Sequence, residues 1–119
     1  MKKVLIVDDE PRILKFLSLK LSTSGFQVIP AANGNEALEQ TKKSSPDIII
    51  MDIIMPGMDG VETLKCMRQM CKCPIILFSA RDHDSEEIRK LGADDYLRKP
   101  FDPDELVSRI NLLLDNHKG

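Results

Sequence analysis

Five short apolar runs punctuate the chain: Val4-Leu5-Ile6-Val7, Phe26-Gln27-Val28-Ile29, Ile48-Ile49-Ile50-Met51, Pro74-Ile75-Ile76-Leu77-Phe78 and the weaker Asp95-Tyr96-Leu97. Each has strand length, and the segments between them are amphipathic and of helical length, so the order is β-α five times over. Leu14, Leu17 and Leu21 recur at helical spacing in the first such segment, and Leu106, Ile110 and Leu113 in the last. Helix starts are marked by a capping acceptor three residues before a glutamate: Asn33 with Glu36, Asp59 with Glu62, Asp84 with Glu87, and Asp102, followed by Pro103, with Glu105. Strands this apolar belong in a parallel sheet covered on both faces, and right-handed crossovers put the helices there. The expected fold class is therefore α/β, a doubly wound five-stranded parallel sheet. With 119 residues and 42% apolar content there is material for one core, and residues 1–119 are read as a single domain.

Composition removes several function classes. The apolar start Val4 to Val7 is cut short by Asp8-Asp9-Glu10, well below the length of an export or membrane segment, so the reading is a cytoplasmic protein with no membrane partner. Net charge is −2, with 17 basic and 19 acidic residues intermixed, which does not make the broad cationic surface that nucleic acid contact needs. Cys66, Cys71 and Cys73 are spaced C-x4-C-x-C, which matches no common zinc pattern, and they are read as core filling or inert thiols.

One acid stands out. Asp52 directly follows Ile48-Ile49-Ile50-Met51, and an unpaired carboxylate inside a strand buried on both faces would carry a heavy desolvation cost. It belongs at the strand's end, and in doubly wound sheets the functional crevice lies beyond the carboxyl ends of the strands. The same rim collects Asp8-Asp9 after the first strand, Ser79 after the fourth and Lys99-Pro100 after the fifth. Three carboxylates together need a proton or a cation among them. Oxygen ligands alone, with water completing the shell, suit Mg²⁺, or Mn²⁺, better than Ca²⁺. An Asp-Asp pair taken alone reads as a helix cap, with Asp9 serving Pro11-Arg12-Ile13, and Tyr96 taken alone reads as a half-buried core aromatic.

VLIVDDE, DIIIMDIIMPGMDG, PIILFSA and GADDYLRKPF, in this order and spacing, resemble the receiver domain of two-component response regulators. The resemblance implies the flavodoxin-like (βα)5 topology with strand order 2-1-3-4-5. It implies Asp52 as phosphoacceptor for a sensor histidine kinase, and Asp8, Asp9, Asp52 and the backbone carbonyl of Ile54 as ligands of Mg²⁺. Lys99 would contact the phosphoryl group across a cis Lys99-Pro100 bond, and Ser79 and Tyr96 would form the switch that addresses an output domain or downstream protein. Such a module is a signalling domain rather than an enzyme, and it is expected to be a monomer, with a phosphorylation-dependent dimer left open.

Three departures follow from the same comparison. The 20 positions from Ser79 to Lys99 are fewer than the pattern it resembles. Glu105, Arg109 and Asp95 resemble dimer-face charges, yet Ser85 stands where a basic partner for Asp95 is expected. Ile54 and Arg81 each stand two positions past a site residue, where an amide or carboxylate would orient a hydrolytic water; Ile54 offers no hydrogen bond, and Arg81 either lies over the phosphoryl oxygens or points to solvent, which predicts a slowly hydrolysed aspartyl phosphate. Rival readings fit less well. A haloacid-dehalogenase-type phosphohydrolase wants an acid where Ile54 stands, a flavodoxin-like cofactor protein wants a neutral phosphate loop where Asp8-Asp9-Glu10 stands, and a pseudo-receiver would lack an acidic or lysine position.

Overall fold

A computed structural model describes residues 1–55, 58–80 and 84–116, with the side chains of 54, 55, 58, 59 and 85 outside that description. In chain order the elements are β1 (Lys3–Val7), α1 (Pro11–Thr23), β2 (Gln27–Ala31), α2 (Gly34–Ser44), β3 (Ile48–Asp52), α3 (Gly60–Met70), β4 (Ile75–Ser79), α4 (Ser85–Leu91), β5 (Asp95–Arg98) and α5 (Pro103–Asn116). The five strands form one parallel sheet in the order β2-β1-β3-β4-β5, as expected. Between β3 and α3, the two-residue strands Ile54–Met55 and Met58–Asp59 pair antiparallel.

Strand alternation divides the core in two. Val4 and Ile6 of β1, Ile48 and Ile50 of β3, and Ile76 and Phe78 of β4 face Leu17 and Leu21 of α1 and Leu106 and Ile110 of α5. Leu5 and Val7, Ile49 and Met51, and Ile75 and Leu77 face Ala37 of α2, Leu64 and Met67 of α3 and Ile88 of α4. Every residue of β3 is buried, which is why its sequence shows no polar alternation. Gly60 is required where α3 begins, because a Cβ there would run into the carbonyl oxygen of Ile53.

The second strand begins one residue later than its apolar run. Gly25 takes φ +97°, its N–H donates to the Ser22 carbonyl, and the Phe26 N–H donates to the Leu21 carbonyl, which together make a Schellman end to α1. Phe26 is therefore a buried helix-capping contact beside Leu21, not a strand residue. Caps were otherwise mixed. Asn33 and Asp84 accept from Glu36 N–H and Glu87 N–H as expected, whereas the Asp102 carboxylate accepts from Asp104 N–H rather than Glu105 N–H. Glu10, not Asp9, caps α1, and the expected Asp59 cap falls on a side chain outside those described.

The cysteine reading needs correction. Cys73 does fill core, at 8% exposure, but its sulfur is joined to that of Cys71 in a disulfide across two positions, and only Cys66 is free. The helix ends at Met70, and the turn that follows brings the two residues to a Cα separation of 5.4 Å.

Candidate functional site

Parallel register brings the predicted residues to one rim. Asp52 is the last residue of β3 and pairs with Phe78, the neighbour of Ser79 at the end of β4. Ser79 pairs with Arg98 of β5, and its carbonyl accepts the N–H of Lys99 at 2.7 Å. Asp8, one residue past β1, is tied to β2 through its N–H to the Ala31 carbonyl at 3.1 Å.

Asp8 is fully buried, with Oδ1 accepting from the Glu10 N–H at 2.8 Å. Asp52 and Ser79 are also buried, at 5% and 1% exposure, while Asp9 is exposed. Lys99 Nζ lies 2.8 Å from Asp52 Oδ2 and 3.4 Å from Asp8 Oδ2. It also sits 4.8 Å from the centre of the Phe78 ring, which packs edge-to-face on Phe101, and the Lys99-Pro100 peptide is cis as expected. Phe78 was taken from the sequence only as core. Its extra role as a wall for the ammonium follows from the lysine being returned over β4, which no local pattern signals.

Carboxylate oxygens of Asp8, Asp9 and Asp52 all lie within 4.8 Å of one another. At that separation two negative charges repel by about 3.5 kcal/mol at an effective dielectric near 20. Burial holds the Asp8 carboxyl above its ordinary range, reinforced by the Asp52 charge, and the Glu10 N–H and Lys99 only partly counter this. Burial works against the charged Lys99, but its bond to Asp52 and the charges of both aspartates outweigh that and raise it. Among the described residues, one ammonium faces three carboxylates at a rim open on the Asp9 side, and that donor set fits a hard divalent cation.

Tyr96 is half-buried on β5, with its hydroxyl 3.5 Å from the Ser79 carbonyl oxygen, at the long limit of a hydrogen bond. Arg109 donates to Asp95 at 2.6 Å and to Glu105 at 3.0 Å, so the charges that resemble a dimer face bond to one another within the chain. The shortened Ser79 to Lys99 segment holds an α4 of seven residues. Arg81 and the side chains of Ile54 and Ser85 lie outside the described residues.

Fold and site together define a doubly wound α/β module with a cation-seeking carboxylate cluster and a half-buried lysine at its functional rim. The chain belongs to the response regulator receiver domain family, which matches residues 4–111. It is 40% identical over 116 residues to the alkaline phosphatase synthesis transcriptional regulatory protein PhoP of Bacillus subtilis, covering 95% of this chain and 48% of that protein. The chain thus spans about half the length of the curated relatives it matches. Among solved structures, the receiver domain of the Francisella response regulator 1452 has a TM-score of 0.90 and 39% identity, covering 99% of this chain and 100% of that one. The response regulator TrrA of Thermotoga maritima, solved in complex with Mg²⁺-BeF, has a TM-score of 0.85 and 38% identity over 95% of this chain and 99% of that one. This is a signalling domain of two-component systems, in which phosphorylation of an aspartate is the general receiver function. No helix among the described residues is long and apolar enough to cross a membrane.

Proposed function

We propose that residues 1–119 form one receiver module in which Asp52 accepts a phosphoryl group from the phosphohistidine of a sensor histidine kinase. The observation that carries this is the Lys99 ammonium bridging Asp52 and Asp8 at 2.8 and 3.4 Å on the functional rim. An Asp52 carboxylate oxygen attacks phosphorus, the phosphorus–nitrogen bond of the donor breaks, and the imidazole leaves. Asp8, Asp9, Asp52 and the Ile54 carbonyl would hold Mg²⁺, with Mn²⁺ as a substitute. When bound, this ion neutralises charge on the phosphoryl oxygens. Lys99 turns from the Asp52 carboxylate to a phosphoryl oxygen as a point charge, and the Ser79 hydroxyl donates to another.

The conformational step starts from the Ser79 and Tyr96 pair. As Ser79 moves to the phosphoryl group, Tyr96 turns into the vacated space, and the face of α4, β5 and α5 changes its affinity for an output domain or downstream protein. The module is cytoplasmic, makes no direct contact with membrane or nucleic acid, and is a monomer at rest. Its own chemistry is limited to gaining and losing its phosphoryl group. Incubation with acetyl phosphate and Mg²⁺ tests this: wild type should gain one phosphoryl group, about 80 Da, and Asp52→Asn none. Equal labelling of both would refute the assignment.

A further inference from the structure

At the amino-terminal end of the strands, opposite the phosphoacceptor rim, the turn from α3 to β4 carries Cys71, Lys72 and Cys73, with the two sulfurs joined. A ring closed over so few residues excludes little of the unfolded ensemble, so this bond is a poor staple, and its effect is local. What lies next to it is the Arg68 side chain. Its Nη1 donates to the carbonyls of Cys73 at 2.6 Å and Cys71 at 3.4 Å. Its Nε donates to the carbonyl of Gly92 at 2.7 Å, and Nη2 to Asp94 Oδ2 at 2.7 Å. Gly92 ends α4 at φ +94° with the Arg68 stem packed beside it, and Asp94 Oδ2 also accepts the N–H of Ile75, the first residue of β4. One guanidinium therefore reads the shape of the cysteine turn and holds the junction between α4 and β5.

We propose that Cys71 and Cys73 are a reversible dithiol–disulfide pair that exchanges with small disulfides and thiols, and that Arg68 passes its state to the α4–β5 junction. Cys71 is half-buried and Cys73 is buried, so Cys71 is the sulfur that a small disulfide meets first. In oxidation, the Cys71 thiolate attacks one sulfur of glutathione disulfide and expels one glutathione thiolate. The Cys73 thiolate then attacks the Cys71 sulfur and expels the second. Two electrons and two protons leave the cysteine pair and end on two glutathione molecules. Excess dithiothreitol runs the exchange in reverse. None of this depends on phosphorylation of Asp52.

The test uses the full chain. Fully reduced protein exposes three alkylatable thiols, and treatment with glutathione disulfide should leave one, Cys66, with a mass loss of about 2 Da and no retained glutathione. Trypsin cuts after Lys72, so the oxidised protein should yield the Gln69–Lys72 and Cys73–Arg81 peptides as one linked species. Cys66→Ser should still go from two thiols to none. Oxidation should shift the backbone amide resonances of Gly92 and Asp94, and in Cys71→Ser the same treatment should leave them in place. Two thiols persisting in Cys66→Ser, or a stable glutathione adduct, would overturn the exchange. Unmoved Gly92 and Asp94 amides in wild type, or equal movement in Cys71→Ser, would overturn the transmission.

Discussion

Removing the ammonium of Lys99 while keeping its apolar stem, as in Lys99→Met, isolates the electrostatics of the site. At 2.8 Å and 3.4 Å its attractions to Asp52 and Asp8 are about 6 and about 5 kcal/mol at an effective dielectric near 20. Most of this gross gain is offset by taking the charges out of water, because Asp8 is fully buried and the lysine side chain only 22% exposed. Removing one partner of such a group leaves the others uncompensated, which costs about 3–5 kcal/mol in fully buried pairs. Here Asp8 already binds a proton more readily than usual and Asp9 is exposed, so both relax part of the strain. We expect Lys99→Met to lose about 3 kcal/mol in EDTA. A divalent cation substitutes for the ammonium, so with saturating Mg²⁺ the loss should shrink to about 1 kcal/mol. Urea unfolding followed by circular dichroism is the assay, since the chain has no Trp. An equal loss with and without Mg²⁺ would refute the shared-site reasoning, as would a loss in EDTA near zero.

Asp8→Asn should stabilise the metal-free protein by roughly 1 kcal/mol at neutral pH while abolishing Mg²⁺ binding. Because the folded carboxyl is raised, its ionisation costs stability as pH climbs from the ordinary 3.8 through the raised value, so the variant's advantage should appear across that window and vanish below it. Parallel pH curves for the two proteins would show that Asp8 is not the group responsible. Arg68→Ala removes the contacts joining α3 to the α4–β5 junction and should cost about 2 kcal/mol in urea unfolding; a change under a few tenths would mean the fork contributes little. Ser79→Ala should still be phosphorylated but show smaller amide shifts on the α4, β5 and α5 face, and shifts equal to wild type would break the proposed coupling. Hydrolysis of the phosphorylated protein should be about tenfold faster in Ile54→Asn, where an amide can orient water; an unchanged decay rate would remove that side chain from the account.

Asp52 was legible because a strand buried on both faces tolerates no unpaired carboxylate, so its address at a strand end followed from β3 alone. Asp8 followed likewise from Val4 to Val7. Lys99 was different: nothing local distinguishes it from Arg98 or Lys90, and only the joint spacing of four motifs selected it. The strand-end rule supplied the rim, whereas the contact of Lys99 with both aspartates depends on how β5 returns beside β4. Phe26 was misplaced because its apolarity serves a helix end as well as a strand, and Gly25 decides which. Cys71 and Cys73 gave no signal, since residues two apart point to different faces of a continuing helix and meet only because α3 stops at Met70.

The central claim is that the Asp52 carboxylate itself becomes the acyl phosphate. Treating the protein with acetyl phosphate and Mg²⁺ and then with borohydride reduces an aspartyl phosphate to homoserine, a residue about 14 Da lighter than aspartate. Tandem mass spectrometry should place that loss at position 52, dependent on both donor and Mg²⁺. Homoserine at position 8 or 9, or none at all, would contradict the account.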